Sequence, residues 1–438
     1  MKTLWMSILI ALVVILVPAC DKSTDPGGEG NPELAGQKVD EADSLLIQKI
    51  ILLVETGPDS ANTDVSTVAA LYAEALEADP SNADAHFGLA LTDLISILPG
   101  VANATGGVSP FTFPMFMSML SGEATTSSVL ADMGAQLRER IQTLAKQQME
   151  TALGKRAPAL VTGQAAGAAS VQQELPSFYQ NIIENEVLPH LTSAIGHLQV
   201  VTNVSGYAFL ITPAMRMEAT GETYRIDHTE IYLLLAVLQG ITAEASILVA
   251  YNVDYDPTDS AAVAQAWNVS SPFLGLRPNG AARMQNARTN LVGMASSIQG
   301  GLNHLLNEPP NPEADLINYN PADQPGMMQA IMILDTLKAV LSGPYAIPNA
   351  PTVNLKNFFD NAIPNYKAKV PAYTVSVFPG ERPGHYDATL TWTATSFDAW
   401  IFPDPELNGL FPGMTDEGLK TLFGITSQVW TQEVLIIN

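Results

Sequence analysis

Tyr72-Ala73-Glu74-Ala75-Leu76-Glu77-Ala78-Asp79-Pro80-Ser81-Asn82-Ala83-Asp84-Ala85-His86-Phe87-Gly88-Leu89-Ala90 is the stretch on which the fold turns. Ala, Leu and Glu dominate its first seven residues, as a helix prefers. Pro80 lacks an amide hydrogen and ends that helix. Small Ala75 lets a neighbouring helix approach, Tyr72 fills the groove between helices, and Leu89-Ala90 supply the next packing ridge. Upstream, Ala42, Leu46, Ile50 and Leu53 recur at three- and four-residue spacing from about Gln37, and Gly57-Pro58 closes that element. The helix containing Tyr72 begins near Thr63.

The stretch resembles the junction between two tetratricopeptide repeats. The resemblance covers about residues 64 to 97, and no second copy stands at the expected spacing of roughly thirty-four residues. It implies helices packed in antiparallel pairs and a leaning toward protein interaction. If the junction recruits a partner, Tyr72, His86 and Phe87 are the side chains expected to meet it.

Further helical patterns follow. Leu130, Met133, Leu137, Ile141, Leu144 and Leu153 trace one face of a long segment. Another helix is expected from about Leu175 to Val201, bent by Pro189. Asp227-His228-Thr229-Glu230 is the clearest helix start, with Asp227 as cap and Glu230 reaching back. The stretch from there to Tyr251 is apolar almost all round and belongs at the centre of the body, with Gly240 marking a close crossing. Helices over about 280–306 and 325–341 complete a body running from 37 to 345. After that the period falls to two: Tyr373 to Phe378, Ala388 to Ala394 and Gln428 to Ile437 read as strands, with a short helix from Asp416 capped by Thr415. The fold expected is mainly α, a tetratricopeptide-like helical body with a small C-terminal α+β module over 346–438.

The N-terminus carries a separate signal. Lys2, an apolar run from Leu4 to Leu16, and Val17-Pro18-Ala19-Cys20 have the layout of a secretory peptide ending at the chain's only cysteine. This resembles the lipobox of bacterial lipoproteins. The resemblance implies removal of residues 1–19, acylation of Cys20, and a membrane anchor made of acyl chains. Residues 20–36, rich in Gly, Pro, Ser and charge, read as a flexible tether. The location implied is the bacterial envelope, lipid-anchored, with the outer membrane facing the periplasm as the expected site and Asp21, directly after the cysteine, leaving the inner membrane as the alternative.

Composition narrows the partners. The chain has 438 residues, 47% of them hydrophobic and 15% charged, which is enough for a large core. One cysteine excludes intramolecular disulfides and thiolate-built zinc or iron–sulfur sites. A formal net charge of −24 argues against nucleic acid, whose phosphates need a basic footprint.

Candidate chemistry is sparse. Asn252, Asp254, Asp256 and Asp259 alternate oxygen side chains as a calcium loop does, although Pro257 and Val263 stand where an EF-hand needs Gly and Glu. Helix-ending turns use the same residue types. Two further acidic clusters, Asn311 to Asp323 and Asp404 to Asn408, read as solvated turns. His190 and His197 lie two turns apart with Glu186 nearby, about 10 Å along the axis and too far to share an ion directly. Phe111, Phe113, Met115, Phe116 and Met117 form an adaptable apolar run suited to an apolar ligand or partner, or to a core loop. Glu244 needs a partner or an edge position within the apolar helix. No nucleophile elbow, zinc-protease helix, P-loop or dinucleotide fingerprint is present. The sequence thus reads as an envelope lipoprotein serving as an interaction or assembly scaffold and not as an enzyme. The alternative is the ligand-capture component of a transport system. No cofactor is expected beyond possible calcium.

Overall fold

Asn31 and Pro32 start the first helix. The Asn31 Oδ1 accepts the Leu34 N–H at 3.1 Å, and Pro32 opens α1 (Pro32–Thr56), where its missing N–H costs nothing. The helix therefore includes residues 32–36 of the segment expected as a tether. Residues 32–36 form the first turn of α1 and Ala35 is fully buried, because the Asn-Pro start outweighs the Gly-rich composition.

The computed structural model describes residues 30–56, 64–105, 180–211, 223–307, 314–315, 317, 321–346, 351–380, 384–394, 396, 398–422 and 435–437. Cys20, the Phe111 to Met117 run, the helix expected near 130–153 and the cluster from Asn311 to Glu313 lie outside them. The described fold is mainly helical. It divides into two compact units, one of residues 1–132, 184–242 and 293–334, the other of 133–183, 243–292 and 335–438.

In the first unit α1, α2 (Ser66–Ala78), α3 (Ala83–Thr105) and α4 (Leu188–Val201) form a stack. α1 packs on α2, α2 on α3, α3 on α4, and α1 also on α3. The α2–α3 turn is set by short polar side chains. Asp79 Oδ1 accepts from the Ser81 N–H at 3.0 Å, and Asn82 Oδ1 accepts from the Ala85 N–H at 2.8 Å, capping α3. α4 is preceded by a π-helical turn, Ile183–Val187. The backbone thereby accommodates Pro189, which falls in the first turn of α4, where no donor is needed.

A small sheet of β1 (Phe209–Ile211), β2 (Tyr224–Ile226) and β3 (Ala314–Asp315) pairs antiparallel and then parallel. Strands of two and three residues carry no readable period, so the sequence did not announce them. β2 leads into α5 (His228–Ala250), the apolar helix. By length and composition α5 could cross a membrane, yet 67% of its most apolar stretch is buried within the fold, as a core helix is.

Glycines on α7 (Gly280–Asn307) allow the close approach. A Cβ at Gly300 would stand 2.8 Å from the ring of Tyr232, and one at Gly293 would stand 2.6 Å from the Gln239 amide. Gln239 in turn accepts the Ser297 hydroxyl at 2.9 Å. Gly240, the crossing point read from the sequence, faces Met294. α8 (Gln324–Ser342) returns past α7, and Gln299 donates to the Ile331 carbonyl at 3.1 Å.

The second unit holds α6 (Ser260–Ala266), the paired β4 (Tyr345–Ala346) and β5 (Thr352–Val353), α9 (Leu355–Asp360), and the sheet β6 (Tyr373–Pro379), β7 (Tyr386–Trp392) and β8 (Leu435–Ile437), with α10 (Asp416–Leu422) between β7 and β8. Ala388, Leu390 and Trp392 alternate inward on β7, and Trp392, Trp400 and Phe402 stack edge on face. Thr415 Oγ1 accepts the Gly418 N–H at 3.1 Å, the cap expected for α10.

The last hundred residues share their unit with 243–292. The Tyr373 hydroxyl donates to the Trp267 carbonyl at 2.8 Å, and the Lys367 ammonium to the Ala266 carbonyl at 2.7 Å. The strands β6 and β7 pack on α6 within this unit.

Candidate functional site

The first turn of α5 gathers several titratable side chains. Asp227 Oδ1 accepts the Thr229 N–H at 2.7 Å, and Glu230 Oε2 reaches back to the Asp227 N–H at 2.9 Å, the reciprocal cap expected from the sequence. The other Glu230 oxygen accepts the Ile317 N–H at 3.1 Å. Asp227 and Glu230 are both buried. Burial, and then the neighbouring Asp227 carboxylate, push the Glu230 carboxyl well above its usual range. Both acids serve backbone amides at the same helix start.

Two imidazoles border this pair. His304 Nδ1 stands 2.9 Å from Thr229 Oγ1 and 3.6 Å from Asp227 Oδ1. His228 lies with its ring centroid 5.3 Å from that of His304, and burial followed by His304 lowers its proton affinity. Hydroxyl, imidazole and carboxylate are thus together, but hydroxyl and carboxylate meet the same ring nitrogen. A nucleophilic relay needs them on opposite nitrogens. What the arrangement does is lock the start of α5.

A second set lies between α3 and α4. His86 Nδ1 meets His197 Nδ1 at 2.8 Å, and His190 Nδ1 meets Asp93 Oδ1 at 2.8 Å. Both helices place their pair members seven residues apart, so two antiparallel helices bring them into register. The His190–His197 spacing is therefore explained by partners on α3, not by Glu186, which is exposed.

Tyr72 and Phe87 are not partner contacts. Tyr72 is 0% and Phe87 2% exposed. The Tyr72 hydroxyl donates to Asp43, while Phe87 packs on Phe209 and Tyr207 at 5.1 and 6.3 Å between ring centroids. A polar hydroxyl and a small-residue groove let an aromatic serve as core, which residue type alone could not distinguish from a recognition surface. His86 is half-buried and committed to His197.

The chain matches no protein-family model, no curated protein and no solved structure. Its chemistry rests on its own residues.

In the second unit the acidic loop spends its oxygens on itself. Asn252 Oδ1 accepts the Asp254 N–H at 2.7 Å, Asp256 Oδ1 the Thr258 N–H and hydroxyl at 2.8 and 2.6 Å, and Asp259 Oδ1 the Ala261 N–H at 2.8 Å as the cap of α6. The Thr258 hydroxyl and N–H hold the Asp256 carboxyl below its usual range. These contacts turn the chain and do not converge the four side chains. Among the described residues no three of His, Cys, Asp and Glu come together as a metal-holding group. The turn from Asp404 is likewise structural: Asp404 pairs with Lys369 at 2.5 Å and accepts the Asn408 N–H at 2.8 Å. Glu244 is half-buried at the edge of α5.

Lys367 was invisible to sequence reasoning. It is 2% exposed, and its ammonium donates to the Ala266 carbonyl at 2.7 Å, the Ser271 hydroxyl at 2.9 Å and the Ser271 carbonyl at 3.2 Å. Burial pulls its pKa down to about 8.

Proposed function

We propose that this protein is a lipid-anchored envelope lipoprotein whose helical body serves as an interaction or assembly scaffold. The observation that carries the reading is the serial stack of α1, α2, α3 and α4. Each helix packs on the next, and α1 packs also on α3. That order of contacts, with Tyr72 filling the space left open by Gly88, is what supports the tetratricopeptide-like reading. Such a stack presents long helix faces on a rigid frame, a form suited to binding polypeptides. The anchor is the acylated Cys20 expected from the lipobox, because the apolar α5 is committed to the core.

Two measurements test this. Replacing Cys20 with Ala abolishes lipid labelling and membrane fractionation; unchanged partitioning into detergent removes the anchor from the account. Crosslinking the anchored protein in its own host and purifying it under denaturing conditions recovers a discrete polypeptide. An empty recovery, with a small apolar molecule found by native mass spectrometry, transfers the function to ligand capture.

A further inference from the structure

The pair formed by His86 and His197 carries chemistry that neither the scaffold reading nor the acid pair uses. The two Nδ1 atoms face one another at 2.8 Å across α3 and α4, with ring planes tilted by 45° and centroids 5.1 Å apart. The His86 Nε2 stands 3.1 Å from the Pro80 carbonyl, an acceptor only, so that nitrogen carries the proton. The His86 Nδ1 of a neutral ring is then a bare lone pair, and His197 supplies the hydrogen between the two nitrogens.

Two imidazole nitrogens that meet at one point from two helices can both serve as ligands once the hydrogen they share moves to the far nitrogen of one ring. We propose that His86 and His197 form a two-imidazole site for a transition-metal dication of the Cu²⁺, Ni²⁺ or Zn²⁺ class, which pins α3 to α4. The ion takes the place of the shared hydrogen. His197 keeps one proton, which moves from Nδ1 to Nε2, so both rings bind as neutral ligands through Nδ1 and no net proton is released. Metal–nitrogen bonds of about 2.0–2.1 Å in tetrahedral geometry set the two nitrogens about 3.3 Å apart. The rings need to separate by about half an ångström from their present contact, a movement within side-chain torsion. Water fills the remaining positions, since both rings are half-buried and within reach of solvent. The Asp93 carboxylate acts on His197 through space, and the formal net charge of −24 favours a cation.

The test uses the full chain, stripped of metal by chelator and titrated with Cu²⁺, Ni²⁺ and Zn²⁺. One equivalent is expected to bind and to raise the melting temperature, in the order Cu²⁺ before Ni²⁺ and Zn²⁺, with Ca²⁺ and Mg²⁺ failing to compete. The Cu²⁺ spin-resonance spectrum should carry hyperfine coupling to two imidazole nitrogens. His86→Ala and His197→Ala should each abolish the equivalent. His190→Ala and His304→Ala, which leave both ligands in place, should retain it. A spectrum without nitrogen coupling in the intact protein overturns the proposal, whether or not the variants fold. So does binding that survives both ligand variants, or no binding at roughly millimolar metal.

Discussion

The ring of Tyr72 occupies the space in which a side chain at residue 88 would stand. Any Cβ on Gly88 would fall inside the van der Waals envelope of three carbons of that ring. The same tyrosine spans to α1, where its hydroxyl donates to the buried Asp43. One residue thus joins three helices, through apolar contact on one side and a charge-assisted hydrogen bond on the other.

The first prediction follows from that contact. Gly88→Ala should destabilise the first unit by about 1–3 kcal/mol through overpacking, despite alanine's better helix propensity. Gly36→Ala is the control, since nothing lies within 4 Å of a Cβ there and propensity alone acts. Equal melting temperatures for the two variants would refute the packing argument.

Glu230 makes stability depend on pH in a definite direction. Its folded-state pKa is raised by burial and by Asp227, so its contribution is complete below the ordinary glutamate range and lost as pH rises through the elevated value. Glu230→Gln mimics the protonated acid and should flatten that decline in urea unfolding measured between pH 4 and pH 8. Glu230→Ala should cost stability throughout by stripping acceptors from the Asp227 and Ile317 amides.

Lys367 acts the other way. Its pKa is depressed to about 8 in the fold against 10.5 for an ordinary lysine, so between those values the unfolded chain binds more protons and stability rises with pH. The rise is best read from pH 8 to about 10. Beyond that Tyr251 and Tyr373, pushed up to about 12 by burial, favour the unfolded chain as their free forms ionise. Lys367→Met should lose the rise and be less stable at neutral pH by about 1–3 kcal/mol, because it removes the ammonium's hydrogen bonds to the Ser271 carbonyl, the Ser271 hydroxyl and the Ala266 carbonyl, the last of which keeps only the Ser271 hydroxyl as a donor. A wild-type profile flat over this window would contradict the burial of an ionised ammonium.

Asp259 should behave as a cap. Asp259→Ala is expected to cost about 1 kcal/mol, and Asp259→Asn much less, since asparagine caps as well. If millimolar calcium raises the melting temperature of the wild type and Asp259→Ala removes that rise, the loop has a ligand role beyond its turns.

The helical class, the turn at Asp79 to Asn82, the reciprocal cap at Asp227 and Glu230, the burial of α5 and the strand pair after Tyr373 were all legible in the sequence. Each depends on neighbours within a few positions, and local spacing records such neighbours directly. Other features were decided only by the tertiary structure. Tyr72 and Phe87 became core because α1 and the segment after α4 cover them, and no spacing along α2 or α3 encodes what covers a helix. His190 and His197 were readable as a pair two turns apart, but Asp93 and His86 are about a hundred residues away in sequence. Only the antiparallel register of α3 and α4 brings them opposite. Lys367 reads on the chain as an ordinary surface cation. It is buried because three acceptors from Ala266 and Ser271 converge where its ammonium ends, and that convergence exists only once the turn carrying Lys367 packs against the end of α6 and the loop that follows it.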